Sequence, residues 1–223
     1  MAERRRGMTV SVRLIVLNVT KTGESALVIH TISQEFGRRS FLVNVGRKTS
    51  MSLFLPFNIL DGEVIENDKS DLWRIRNLKA VHPLSGIRGN VRKNTMTLFL
   101  SEVLFRAVKD GAGEDGLYEW CERSILTLDA LEGDFANFHL RFLMKFAAIL
   151  GFSPSVENLS PFAGERYGEL SALLRAEFPE FMLLPLTGAV RNEIAEILLR
   201  YIGYHAETAL NVRSLPILRE LYS

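Results

Sequence analysis

The sequence predicts an α+β protein, β-rich first and α-helical after, in which a small closed barrel or sandwich precedes a helical domain. Its apolar residues repeat with a period of two as far as about Val81 and with a period near 3.6 beyond Pro83. Its 223 residues, 47% hydrophobic and 24% charged, can bury a core, which argues against a disordered scaffold. The joint is expected near Pro83 to Arg88, with residues 1–83 as the first domain and 84–223 as the second.

The strand-like part opens on VSVRLIVLNV. Preceded by a basic stretch, this run superficially resembles a signal peptide. Arg13 and Asn18 interrupt it, however, no small-residue cleavage site follows, and its Val and Ile suit a strand. A turn at Lys21-Thr22-Gly23-Glu24 leads to SALVIHTIS, where Ala26, Val28, His30 and Ile32 share a face. Phe36-Gly37 then turns into RRSFLVNV, where Arg39, Phe41, Val43 and Val45 share one. Leu53 to Phe57 and Glu63 to Glu66 read as further short strands, punctuated by Pro56 and Asp61-Gly62. LWRIRNLKAV sets Trp73 and Ile75 opposite Arg74 and Arg76. Five or six strands in series without intervening helices favour closure, which hides the edges.

In the helical part, Met96, Phe99, Leu100, Val103 and Leu104 form one apolar stripe, and Leu117, Trp120, Cys121, Ile125 and Leu128 a second. A third, aromatic, runs through Phe135, Phe138, Phe142, Phe146 and Ile149 to a stop at Gly151. Residues 151–168, rich in Pro, Gly and Ser, read as a long loop; Val190 to Ile202 and Leu215 to Leu221 read as helices. Phe138 to Phe152 carries Arg141 and Lys145 and falls short of the ~18 residues of a membrane span, so no membrane partner is expected.

Several chemistries lack their residues. The single cysteine, Cys121, excludes an internal disulfide framework and a cysteine-cluster zinc site, and suits a reducing cytoplasm. His30, His82, His139 and His205 show no ligand spacing, and His30, on a face with Val28 and Ile32, reads as structural. Gly111-Ala112-Gly113-Glu114-Asp115-Gly116 matches a dinucleotide-binding pattern in letters, but it follows a helix instead of a strand and holds two carboxylates where phosphates would sit; it reads as a linker. Glu114, Asp115, Glu119 and Glu122 favour the start of the next helix. No cofactor and no enzymatic motif is expected, although a catalytic group assembled from distant residues and a peptide-binding adaptor stay open as alternatives.

The net charge of +1 conceals a division: residues 1–109 carry a balance of +9 and residues 110–223 one of −8. A basic half suits a polyanion, because lysine and arginine displace counterions from phosphates. Arg38, Arg39, Arg47 and Lys48 lie at the two ends of the third strand run, with Phe36 and Phe41 between as candidate base platforms. Arg74 and Arg76 on the last strand, and Arg88, Arg92 and Lys93 at the joint, complete the expected DNA-binding set. Phe41, alternating with Val43, also reads as core.

The EFGRRSFLVNVGRK segment, the RFLMKFAAILGFSP helix stop and the terminal SLPILREL resemble the bacterial RecO family of DNA repair recombination mediators across most of the chain. The resemblance implies an N-terminal OB-fold, a helical domain, and binding of single- and double-stranded DNA. It also implies annealing of complementary strands and the loading of recombinase onto strands coated by single-strand DNA-binding protein (SSB), with RecR as partner, in the cytoplasm at the nucleoid. For the acidic SSB tail it implies a cation-rimmed apolar site on the helical domain, for which Arg141, Lys145, Arg191 and Arg200 are the candidates. Many family members carry four zinc-spaced cysteines after the GFxP stop; SPSVENLSPFAGERYGEL has none, so packing of Leu159, Phe162 and Tyr167 is expected to stand in for the metal.

Overall fold

The computed structural model describes residues 9–47, 49–67 and 70–222. Contacts divide the chain into two units, one holding the residues up to Pro83 together with Val108–Gly113, the other Leu84–Ala107 and the residues from Glu114.

In the first unit, β1 (Thr9–Lys21), β2 (Ala26–Ser33), β3 (Gly37–Asn44), β4 (Ile59–Ile65) and β5 (Trp73–Ala80) close into a barrel in the order β1-β2-β3-β5-β4. The β3–β5 pair is parallel and the others antiparallel, which is the OB-fold arrangement. Strand alternation sends Leu14, Val16, Leu27, Ile29, Phe41, Val43, Leu60, Val64 and Ile75 into one core. Each such side chain contributes about 1.5–3 kcal/mol on leaving water.

Two expectations about the strands need correction. Leu53–Phe57 is not a strand: Met51–Phe54 forms a 3-10 turn that inserts Phe54 into the core. The Asn58 amide closes that turn by donating to the Ser52 and Leu53 carbonyls at 2.8 and 2.9 Å. Asp61-Gly62 is not a turn, because β4 runs through it. Ile75 and Leu78 of β5 occupy the space a Cβ at Gly62 would need, at 3.0 and 2.8 Å, so glycine serves packing there.

Residues 111–112 add an edge pair to β3 at Arg38, three residues before its pairing with β5 begins at Phe41. Arg38 N–H donates to the Ala112 carbonyl at 2.8 Å and Gly111 N–H to the Arg38 carbonyl at 2.7 Å. Gly37, at φ +58°, lies so close to this segment that a Cβ would meet the Ala112 oxygen at 2.4 Å. The glycine string is a linker with a role: its small residues let one backbone approach another.

The second unit contains α1 (Ser85–Arg88), α2 (Val91–Ala107), α3 (Leu117–Ala130), α4 (Phe138–Ile149), α5 (Val156–Ala163), α6 (Tyr167–Arg175), α7 (Phe178–Leu183), α8 (Gly188–His205) and α9 (Leu215–Tyr222). The three expected stripes are buried, except that Phe135 precedes α4, Ile149 is half-buried at its end, and Trp120 is half-buried against Phe142, with ring centroids 4.4 Å apart. Gly151, at φ +87°, closes α4: Gly151 N–H donates to the Ala148 carbonyl and Phe152 N–H to that of Ala147, the paired bonds of a Schellman stop.

The expected loop at 151–168 is largely helical. Ser155 and Asn158 cap each other's backbone N–H groups and start α5, and Leu159 and Ala163 face inward. Phe162 meets Tyr201 and Tyr204 edge-on, while Phe152 stacks on His205 at 4.8 Å. Leu159 and Phe162 thus anchor this segment. Tyr167 is 48% exposed and does not share that packing.

Candidate nucleic-acid interface

Cations of the barrel fall into three environments. Arg47, in the turn after β3, and Arg74, on β5, are exposed and pair with no carboxylate among the described residues. Alternation places Arg74 and Arg76 outside the barrel because Ile75 between them enters the core. Arg76 is exposed too, yet its guanidinium meets Glu63, its neighbour on β4, at 3.1 Å. Two further barrel cations stand outside the expected set: Lys79, exposed on β5 two residues beyond Asn77, and Arg13 on β1, which pairs with Asp61 at 2.7 Å. Arg13 had a period-two signal, lying between the buried Val12 and Leu14, whereas Lys79 is out of step with Arg74 and Arg76 and faces outward only because β5 slips register at Asn77. Lys48 lies outside the described residues.

Arg39 is half-buried. Its guanidinium lies 3.5 Å from the Trp73 ring centroid and donates to the Asp71 carbonyl. Trp73 meets Phe36 edge-on at 5.5 Å, and Phe36 meets Phe41 at 6.1 Å, so an aromatic ladder leads from the core to the barrel rim. Phe41 is wholly buried and offers no face to a base, while Phe36 is half-buried and packs between the Phe41 and Trp73 rings.

Arg38 departs from expectation. Only 4% exposed, it reaches Asp110 at 3.3 Å and the Ser40 hydroxyl at 3.4 Å, beneath the segment that pairs with its own backbone. Burial pulls its pKa down and Asp110 opposes that pull. Ser40 also bonds the Nδ1 of His30, whose Nε2 meets the Thr20 hydroxyl. Burial first, then the Arg38 charge, lowers the His30 pKa and keeps the ring neutral in a structural network. No local pattern marked Arg38, because its partner lies 72 residues away.

In the helical unit, Arg92 is exposed, with its guanidinium 5.8 Å from the Tyr222 ring. Arg88 is half-buried and donates to the Asn94 side chain at 2.6 Å. Lys93 is 3% exposed: its ammonium donates to the carbonyls of Asp129, at 3.1 Å, and Leu131, so it caps the end of α3 and is withdrawn from phosphate contact. Burial lowers its pKa, against the pull of Asp129 and Glu132. Here a signal existed, since Lys93 lies three and seven residues before Met96 and Leu100, on the buried stripe.

The four cations considered for an acidic tail are also unequal. Arg141 donates to the Ala176 carbonyl at 3.0 Å with its guanidinium 5.3 Å from the Phe181 ring, and Arg191 donates to the carbonyls of Leu186 and Tyr222. Lys145 is exposed. Arg200, also exposed, touches the Phe162 carbonyl at 3.4 Å.

Among the described residues, no three His, Cys, Asp or Glu side chains gather as metal ligands. Burial drives the Cys121 thiol far up and lowers His139 to about 3. No helix among the described residues is long and apolar enough to cross a membrane.

Residues 8–84 match the family model for the N terminus of recombination protein O, and residues 88–160 that for its C terminus. The chain is 29% identical to the DNA repair protein RecO of Phocaeicola vulgatus, over 94% of this chain and 97% of that one. It is 28% identical to that of Bacteroides fragilis, over 93% and 97%. Against the RecO of Flavobacterium psychrophilum the identity is 26%, over 97% of this chain and all of the other.

Proposed function

Because the chain belongs to the RecO family of DNA repair proteins, we propose that it is a recombination mediator whose barrel binds single- and double-stranded DNA and anneals complementary strands. The observation that carries this reading is that Arg47 and Arg74, on an OB-fold barrel, are exposed and meet no carboxylate among the described residues, with Arg39 on β3 and Arg76 and Lys79 on β5 as further cations. Annealing brings two polyanions together through charge neutralisation and mobile contacts and breaks no bond, so it needs no catalytic residue and no cofactor. In this reading residues 1–83 are the nucleic-acid-binding domain, and residues 84–223 are the helical domain that receives protein partners, with Arg88 and Arg92 as its own cations toward DNA. Those partners are RecR and the acidic tail of SSB, with Lys145 and Arg200 as the exposed cations for the tail. The site of action is the cytoplasm, at the nucleoid, where recombinase is loaded onto coated single strands.

A fluorescence assay of two complementary oligonucleotides, with and without SSB, tests the reading. Annealing should accelerate with protein, and single-strand affinity should fall with salt at a log-log slope of about 0.7 per neutralised phosphate. A flat salt response or no acceleration overturns it.

A further inference from the structure

The parallel pairing of β3 with β5 is short: Phe41 faces Trp73, Leu42 faces Arg74, and the ladder then stops. Beyond it the strands part around a groove of about 450 Å³, bounded also by the Met51–Phe54 turn. Its apolar lining includes Val43, Leu53, Phe54, Ile75 and Leu78, with Leu42 and Ile65 beside them. The lone aromatic among these, Phe54, is 4% exposed, so the groove presents no ring face on which a base could stack. Its polar lining comes from Asn44, Thr49 and Ser50 on one side and Arg74, Arg76 and Asn77 on the other, with no carboxylate among the lining residues. Arg76 shares its charge with Glu63, but Arg74 has no carboxylate partner among the described residues. Asn77, at φ +56°, sits where β5 slips register against β4, so the strand bends at the groove.

We infer that this groove holds an extended segment of a partner protein in which aliphatic and acidic side chains alternate. Two parted strands offer edges along which such a segment can lie. In an extended chain successive side chains point to opposite faces, so one set fills the aliphatic floor and the other reaches the arginines. A nucleotide strand fits less well, because phosphate would meet the arginines while its bases met only aliphatic carbon. Arg74 and Arg76 also belong to the DNA set proposed above, so the peptide and DNA compete; only this competition rests on the DNA reading.

The test uses the full-length protein and a fluorescein-labelled decapeptide of alternating Asp and Leu, read by anisotropy, with a Lys/Leu decapeptide as control. The acidic peptide should bind saturably and the control should not. Asn44→Trp and Ser50→Trp, which fill the groove from exposed rim positions, should each weaken peptide binding about tenfold or more while melting temperature and affinity for an oligo-dT strand hold. Arg74→Glu should weaken both ligands. Absence of saturable peptide binding, or equal binding by all three variants, overturns the inference. Loss of oligo-dT in place of peptide on filling the groove also overturns it and assigns the groove to the strand. Peptide binding that responds to groove filling in a protein that ignores oligo-dT upholds the inference and removes the DNA reading.

Discussion

Basic side chains behave differently in the barrel and in the helical unit, and the backbone explains why. A helix ends with carbonyls that have no intrahelical partner, and cations are drawn to them. Lys93 caps the end of α3, Arg141 the residue after α6, and Arg191 the carbonyl of Tyr222 in α9, while Arg200 touches Phe162 in the last turn of α5. In the closed barrel the ladders satisfy the strand carbonyls, so Arg74 on β5 projects into solvent, and the carbonyl that Arg39 meets, that of Asp71, lies before β5 begins. A count of lysines and arginines is therefore no count of phosphate contacts.

The contrast can be broken at several points. The largest effect is expected for Lys93→Met, which strips the Asp129 and Leu131 carbonyls of their donor: urea unfolding should show a loss of about 2–3 kcal/mol, with oligonucleotide affinity unchanged. An affinity loss with full stability would return Lys93 to the DNA surface. Gly37→Ala forces a Cβ against the Ala112 oxygen at positive φ and should cost about 2 kcal/mol of stability, seen as a lower melting temperature. Arg47→Glu with Arg74→Glu should do the reverse: single-strand affinity should fall by about tenfold, or about 1.4 kcal/mol, at low salt, while the melting temperature holds. If both fall together, the pair is structural.

The smallest effect concerns Glu102 on α2. It accepts from the Ser214 hydroxyl at 2.6 Å, from the N–H groups of Arg213 and Ser214, and from Arg106, and so tethers the start of α9. Burial alone would raise its pKa, but these donors together hold it below the ordinary value. A depressed carboxylate contributes stability that is complete above the ordinary glutamate value of about 4.3 and lost as pH falls through the folded value. Glu102→Gln should cost about 1 kcal/mol at neutral pH and flatten the loss of stability below about pH 4, measured by urea unfolding across pH. An unchanged acid limb would exclude Glu102 as its source.

Much of the fold was legible. Period-two runs placed β1, β2, β3 and β5, and the stripes through Met96, Cys121 and Phe142 placed α2, α3 and α4. Local chemistry misled at Leu53–Phe57 and Asp61-Gly62, where apolar and turn residues answered to the barrel interior instead of to their neighbours. The helix α5 was hidden because Pro161 and the glycines spoke against it, while the Ser155–Asn158 cap and the burial of Leu159 decided for it. At the candidate interface Arg74 and Arg76 were readable from alternation. Lys93 was readable only from its place on an apolar stripe, and Arg38 not at all.

Which half is basic, where strands give way to helices, and which side chains alternate toward a core can be read along the chain, because these follow from composition and from periods within a few residues. Which cations remain available is set by long-range contacts in the folded chain. Whether an arginine meets solvent, a carbonyl or a carboxylate depends on segments tens of residues away, as Asp110 does for Arg38 and Leu131 for Lys93.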